Sequence, residues 1–321
     1  MNVHAPLAAV EVDPATSSFA ADVTAALSQQ PKKLSPKYFY DEAGSRLFER
    51  ITKLPEYYPT RTELGILRAR GKDICSIIPE DAALVEFGAG ATTKVRLLLE
   101  QCSFGAYVPV DISGDFLAGQ AEELRKDFPA LSVLPVNADF TTTFSLPDEV
   151  AAMPKVGFFP GSTLGNFDPH EACAFLRSAR AILGKGALML IGIDLEKDER
   201  ILQAAYNDAA GVTGEFNKNV LVRINRELGG DFDLGAFVHR AIYNKERHRI
   251  EMHLIAKKPQ TVHLLGQSFN FRAGESIHTE SSYKYSIERF GALARGSGWE
   301  PKSSWTDAED QFSVHALVAV E

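Results

Sequence analysis

Five runs of apolar residues, each nearly free of polar interruption, mark the middle of the chain: Ala83–Phe87, Tyr107–Val110, Leu131–Val136, Lys155–Phe159 and Ala187–Ile193. Runs of this length without helical spacing predict strands buried on both faces. Helical periodicity surrounds them, over Leu64–Ile78 before the first run and from Lys94 through Leu99 after it. After the fourth run, Asp168 stands as the cap of a helix through Leu176 and Ile182. Strands alternating with helices predict a doubly wound sheet with helices on both sides. Upstream, Phe19, Val23, Ala26 and Leu27 have helical spacing behind Ser17 or Ser18 as cap, and the residues before about Pro14 are expected to fray.

The pattern changes after the fifth run. A helix is expected over Arg200–Ala209, then Asn217-Lys218-Asn219-Val220 leads into a second one ending near Leu228-Gly229-Gly230. Phe237–Tyr243, Arg249–Ile255 and Val262–Leu265 alternate with period two, which predicts a small antiparallel sheet. A helix over Tyr285–Gly296 and a closing hairpin, Trp299–Trp305 with Phe312–Val320, return the chain to the main sheet with a reversed last strand. The expected division is a core of residues 61–195 plus 286–321, and a smaller lid domain of residues 15–60 plus 196–285.

Chemistry concentrates at the carboxyl ends of the runs. Gly88-Ala89-Gly90 follows the first strand, where glycine lets backbone approach a ligand and the next helix offers free N–H groups. The second strand ends in Asp111, placed to meet ribose hydroxyls, and the third in Asp139 and Phe140, an acid and a flat ring suited to adenine. Thr93 and Lys94 stand where a dinucleotide site would carry its third glycine, so Glu86-x-Gly88-x-Gly90 is closer to an S-adenosylmethionine methyltransferase motif than to an NAD site. The fourth strand runs into Gly161-Ser162-Thr163-Leu164-Gly165-Asn166, beside the expected reacting centre. Tyr38, Tyr40, Tyr57 and Tyr58 lie in two proline-bounded loops and suit a rigid rim of apolar bodies with polar tips.

Composition narrows the classes. Of 321 residues 45% are hydrophobic and 24% charged, as in ordinary globular proteins, and the net charge of -8 with no dense basic run argues against nucleic acid or an anionic membrane as partner. No apolar run reaches membrane-spanning length and no leader pattern opens the chain, so a cytoplasmic protein is expected. The 3 cysteines, an odd number without a Cys-x-x-Cys pair, suggest reduced, buried thiols. The 8 histidines are scattered, and no metal site is expected.

Longer strings carry a resemblance over nearly the whole chain. Lys37-Tyr38-Phe39-Tyr40-Asp41, Leu54–Glu63, Gly161–Asn166, Tyr206–Thr213, Phe216–Leu221 and Arg249-Ile250-Glu251-Met252 resemble the histidine-specific Nα-methyltransferase family of ergothioneine biosynthesis. The resemblance implies a class I S-adenosylmethionine-dependent methyltransferase (Rossmann-like) core with a second, smaller α+β substrate-binding lid domain. It implies transfer of three methyl groups from S-adenosylmethionine to the α-amino group of L-histidine, giving hercynine and S-adenosylhomocysteine; a monomer is expected. Cofactor contacts then fall on Gly88, Lys94, Asp111, Asp139 and Phe140, with Gly161 counted among them. Tyr57, Asn166 and Tyr206 would surround the α-amino and carboxylate groups, Tyr40 would lie near the amine as proton acceptor, and Met252, Glu280 and Ser282 would line the side-chain end.

Residue chemistry supports histidine. Glu280 can accept from one imidazole N–H, while the hydroxyl of Ser282 can serve the other nitrogen as donor or acceptor. Leaving such groups unpaired costs about 1–3 kcal/mol each, which discriminates against an apolar ring. The alternatives are an Nα-methyltransferase for another aromatic amino acid such as tryptophan, a non-enzymatic binding protein that keeps the cofactor fold, and an NAD-dependent oxidoreductase.

Overall fold

The computed structural model describes residues 14–90 and 92–320, so the expected fraying of the first residues lies outside it. In chain order its elements are α1 (Pro14–Ser28), β1 (Lys32–Lys33), α2 (Glu42–Ile51), α3 (Tyr58–Ala69), α4 (Gly71–Cys75), β2 (Ala83–Phe87), α5 (Thr93–Gln101), β3 (Ala106–Asp111) and α6 (Gly114–Asp127). There follow β4 (Ser132–Val133), β5 (Val136–Asn137), β6 (Lys155–Phe159), α7 (Pro169–Leu183), β7 (Leu188–Asp194), α8 (Glu199–Tyr206) and α9 (Val212–Leu228). The last are β8 (Phe237–Asn244), β9 (Arg249–Ala256), β10 (Gln260–Leu264), β11 (Gln267–Phe271), β12 (Ser276–Tyr283), α10 (Ile287–Arg295), β13 (Trp299–Thr306) and β14 (Phe312–Ala319).

The chain packs as two units. The larger comprises Thr52–Tyr206, Tyr243–Ile250 and the residues from Ser281 on. Its sheet is ordered β13-β14-β7-β6-β2-β3-β4, with β5 also beside β3. β2 runs parallel to β3 and β6, and β6 to β7, whereas β14 is antiparallel to both β7 and β13. The expected α/β sheet with a reversed last strand is therefore present. Its strands read as continuous apolar runs because both faces are covered: Val85 and Phe87 pack with Leu176 and Phe290 on one side, Leu84 with Leu67 and Leu98 on the other. Asp168 and Glu171 form a reciprocal capping box at the start of α7, as the sequence suggests.

Several local expectations change. The third strand breaks into β4 and β5 around Pro135, which has no N–H to give to the ladder on β3. The helix expected over Leu64–Ile78 is α3 and α4, parted at Arg70, with the Gln101 side chain lying against Gly71. Pro14 opens α1, so Ser17 and Ser18 lie within that helix. Thr92 sits before α5 without capping it; its hydroxyl accepts from Arg96 Nε at 3.2 Å. The cysteine reading is also corrected. The C-terminal ends of α4 and α5 converge, bringing Cys75 and Cys102 to a Cα separation of 5.2 Å and joining them in a disulfide. Cys173 is a free, half-buried thiol.

The smaller unit comprises the described residues up to Ile51, with Asn207–Ile242 and Glu251–Glu280. Asp41 organises its helices. Its carboxylate accepts from Gly44 N–H at 2.8 Å, from Asn219 Nδ2 at 2.7 Å and from Arg226 at 2.6 Å, tying α2 to α9. Gly44 allows this approach, since a Cβ there would overlap the Phe39 carbonyl. α9 is one helix from Val212, because the Asp208 carboxylate accepts from the N–H groups of Val212 and Thr213, both at 2.8 Å. Elsewhere a four-stranded sheet is ordered β1-β12-β9-β8, and β10 and β11 form a hairpin. β11 and β12 escape sequence detection; β12 buries Thr279, Glu280, Ser281 and Ser282 in succession, erasing the alternation that marks a half-exposed strand.

Candidate active site

At the switch point of the larger unit's sheet, β2 turns through Gly88, whose N–H donates to the Val110 carbonyl at 2.9 Å. Gly88 has φ +75°, and a Cβ on it would stand 3.1 Å from the Phe140 ring. The glycine thus keeps open a face of the aromatic ring expected against adenine. Phe140 is held from behind by Phe159 and Phe175, with centroids at 5.7 and 5.9 Å. Asp111 closes β3, accepts from Ser113 N–H at 2.9 Å through one oxygen, and has its carboxyl raised by burial. Asp139 accepts from the N–H of Thr141 at 2.8 Å and from its hydroxyl at 2.5 Å. Backbone donors hold both acids in place at their strand ends.

Lys94 and Gly161 share a partner absent from the sequence-derived set. Glu63, fully buried on α3, pairs with Lys94 Nζ at 2.6 Å and accepts from the Gly161 N–H at 2.9 Å. The carboxylate therefore ties the start of α5 to the loop after β6. That loop is constrained elsewhere as well. Ser162 has φ +56°, and its hydroxyl accepts from Asp194 N–H at 2.9 Å. A Cβ on Gly165 would lie 2.7 Å from the Tyr283 carbonyl, so the loop leans directly on β12. Half-buried Asn166 ends this turn.

In the same unit, Tyr57, Tyr206 and Ser282 come together. Tyr57 and Tyr206 meet edge to face at 6.3 Å, and the Tyr206 hydroxyl donates to Ser282 Oγ at 2.8 Å. The sequence reading put Tyr206 at the amino-acid head and Ser282 at the side-chain end; in the fold they are in direct contact. Behind them lies a buried ionic group of two cations and one anion. Lys284 Nζ donates to Asp194 at 2.7 Å, to Ser282 Oγ at 2.8 Å and to Tyr206 OH at 3.1 Å. Lys197 Nζ reaches Asp194 at 2.6 Å and Tyr58 OH at 2.7 Å, and Tyr58 donates to Asp194 at 2.7 Å. Burial opposes the charge on Asp194, but Lys284 and Lys197 hold its carboxyl below the usual range. Burial pushes Lys197 down to about 8.

The remaining residues belong to the smaller unit. The Tyr40 ring packs edge-on against Phe48 at 5.7 Å and Phe216 at 5.6 Å while 36% of the residue stays exposed. Met252 is buried on β9, its carbonyl accepting from Thr279 Oγ1 at 3.0 Å. Glu280 is buried on β12, and its carbonyl pairs with His278 Nε2 at 2.9 Å. Sequence reasoning passed over Glu63, Asp194, Lys197 and Lys284. Glu63 lies within the string Leu54–Glu63 and Asp194 is an acid ending an apolar strand, signals that could have found them; Lys197 and Lys284 carry no such signal.

Comparison with known proteins identifies the family. Residues 19–319 match the family model described as histidine-specific methyltransferase, SAM-dependent. The histidine N-alpha-methyltransferase of Mycolicibacterium smegmatis is 39% identical over 316 residues, covering 95% of this chain and 96% of that one. Its namesake from Mycobacterium tuberculosis is 39% identical over 303 residues, 91% of this chain and 92% of the other. Ergothioneine biosynthesis protein 1 of Neurospora crassa is 31% identical over 89% of this chain and 33% of its own length.

Proposed function

Since the chain belongs to the histidine-specific, SAM-dependent methyltransferase family, we propose that it methylates the α-amino nitrogen of L-histidine three times, giving hercynine for ergothioneine biosynthesis and releasing S-adenosylhomocysteine. The observation that carries this is the family match from residue 19 to 319, which includes every candidate site residue named above.

The residues at the strand ends fit an adenosyl cofactor. Phe140 offers a ring face kept clear by Gly88, Asp111 has an oxygen left to accept from ribose hydroxyls, and Asp139 stands beside Phe140 for the adenine edge. Glu63 takes one of the three donors of Lys94, and the others can meet the carboxylate at the methionyl end, beside Gly161. When bound, S-adenosylmethionine supplies an electrophilic methyl on its sulfonium.

The protein's own contribution is alignment. Asn166, with Tyr57 and Tyr206, orients the α-amino and carboxylate groups so that the nitrogen lone pair faces the methyl; proximity and orientation account for most of the acceleration. Tyr40 is the candidate proton acceptor, and tyrosine faces favour the growing ammonium charge. Glu280 accepts from one imidazole N–H, Ser282 meets the other nitrogen, and Met252 gives the ring an apolar wall. We further take the enzyme to act as a cytoplasmic monomer, and a light-scattering mass twice that of one chain would revise that point.

Incubation with S-adenosylmethionine and each standard amino acid, followed by mass spectrometry, tests the assignment. Histidine should gain three methyl groups. Methylation of tryptophan in preference would replace the substrate, and methylation of none would overturn the reading.

A further inference from the structure

Lys284 is fully buried, and the mechanism above gives it no role. An ammonium has three donors, and all three are placed: on Asp194, on Ser282 Oγ and on Tyr206 OH. Ser282 Oγ also accepts from the Tyr206 hydroxyl. A serine oxygen has two acceptor positions and one hydrogen, so Lys284 and Tyr206 together occupy both positions. Its own hydrogen is left to point away from them. From sequence the hydroxyl could serve a substrate nitrogen either way; this packing leaves only donation.

Resting on the histidine reading, we propose that Lys284 is a positioning residue that makes Ser282 an obligate hydrogen-bond donor, so that the site accepts the neutral imidazole of histidine and rejects the imidazolium. A neutral ring offers one lone-pair nitrogen for the serine and one N–H for Glu280. An imidazolium offers two N–H groups and sets one against the serine hydrogen, with a buried ammonium directly behind. The charged and titratable groups around Lys284 are Asp194 on β7, Lys197 before α8, Tyr58 on α3, Tyr206 on α8 and Tyr243 on β8. Among the described residues behind Ser282, Asp194 is the single anion against two lysines; the Glu280 carboxylate on the ring's other edge favours the cation, so the discrimination rests on the serine hydrogen and not on net charge.

The test is histidine affinity by calorimetry from pH 7.5 down to 5.5. The free imidazole titrates near 6.5 and the α-amino group titrates above this window, with a reference value near 8. Wild-type affinity should fall toward tenfold per pH unit below 6.5. Triazolylalanine, whose ring stays neutral throughout, should bind with no such slope. Ser282→Ala should weaken histidine at pH 7.5 by about tenfold or more and flatten the acid slope. Lys284→Met should flatten it too, because the serine can then turn and accept; Asp194 keeps Lys197 and Tyr58 as partners in that variant. In the double variant the two losses should be far from multiplicative. A wild-type acid slope retained in both single variants, or the same slope with triazolylalanine, overturns the proposal. Wild-type protein that binds no histidine at any pH would instead overturn the substrate assignment.

Discussion

Replacing Lys197 with Met and replacing Asp194 with Asn should have opposite consequences, although both break the same ion pair. Asp194 is a single carboxylate between two ammonium groups, 2.6 Å from Lys197 and 2.7 Å from Lys284, with Tyr58 donating to it as well. Lys197→Met leaves one buried anion facing one buried cation, with the tyrosine bond retained. Asp194→Asn leaves two buried cations without an anion, a situation that costs about 3–5 kcal/mol. The displaced titration of Lys197 sizes the other side. Burial lowers it from 10.5 to about 8, so holding its charge in the fold costs up to about 3 kcal/mol relative to the unfolded chain. Removing that cost offsets the lost hydrogen bonds, and Lys197→Met should be neutral to slightly stabilising at pH 7. Between pH 8 and 10.5 the unfolded chain retains a proton that the folded chain has released, so this lysine's contribution rises with pH across that window. Urea unfolding followed by circular dichroism at several pH values measures both effects. Wild type should gain on Lys197→Met by up to about 3 kcal/mol from pH 8 to 10.5. If Lys197→Met loses as much stability at pH 7 as Asp194→Asn, the charge counting is wrong.

Other expectations follow from the same structure. Asn166→Ala removes one or two hydrogen bonds to a charged amino-acid head and should weaken histidine binding by roughly 10- to 100-fold in calorimetry; unchanged affinity would remove Asn166 from the site. Glu280→Ala should lower the kcat/KM ratio of histidine over phenylalanine by about tenfold or more, and a preserved ratio would count against its contact with the imidazole. Burial pushes the Glu86 carboxyl from 4.5 up to about 7. Between those values the folded chain holds a proton that the unfolded chain has lost, so stability through this group falls as pH rises, by up to about 3 kcal/mol. Glu86→Gln should flatten that part of the stability–pH curve, and an unaltered curve would place the titration elsewhere. Gly44→Ala forces a methyl into the Phe39 carbonyl and should lower stability by about 2–3 kcal/mol or more, read as a drop in Tm.

The five apolar runs, the glycine turn at Gly88 and the acids at 111 and 139 were decided locally, because a strand buried on both faces must be apolar along its length and a turn at a ligand must spare a side chain. The break at Pro135 was equally local, and its missing N–H accounts for it. Other features depended on segments distant in sequence. Cys75 and Cys102 pair because two helix ends converge, a fact that neither spacing nor an odd cysteine count contains. β12 was hidden because its buried side chains are polar, and polar residues enter a core only when partners from elsewhere satisfy them. Lys284 is the clearest case: alone it reads as one more surface lysine, and only the arrival of Asp194 from β7 and Tyr206 from α8 fixes its three donors. Sequence determined which backbone runs straight and where it turns, because those choices depend on neighbours along the chain. Tertiary structure decided which charges are buried and which way a hydroxyl points, because those are settled by partners the chain brings from far away.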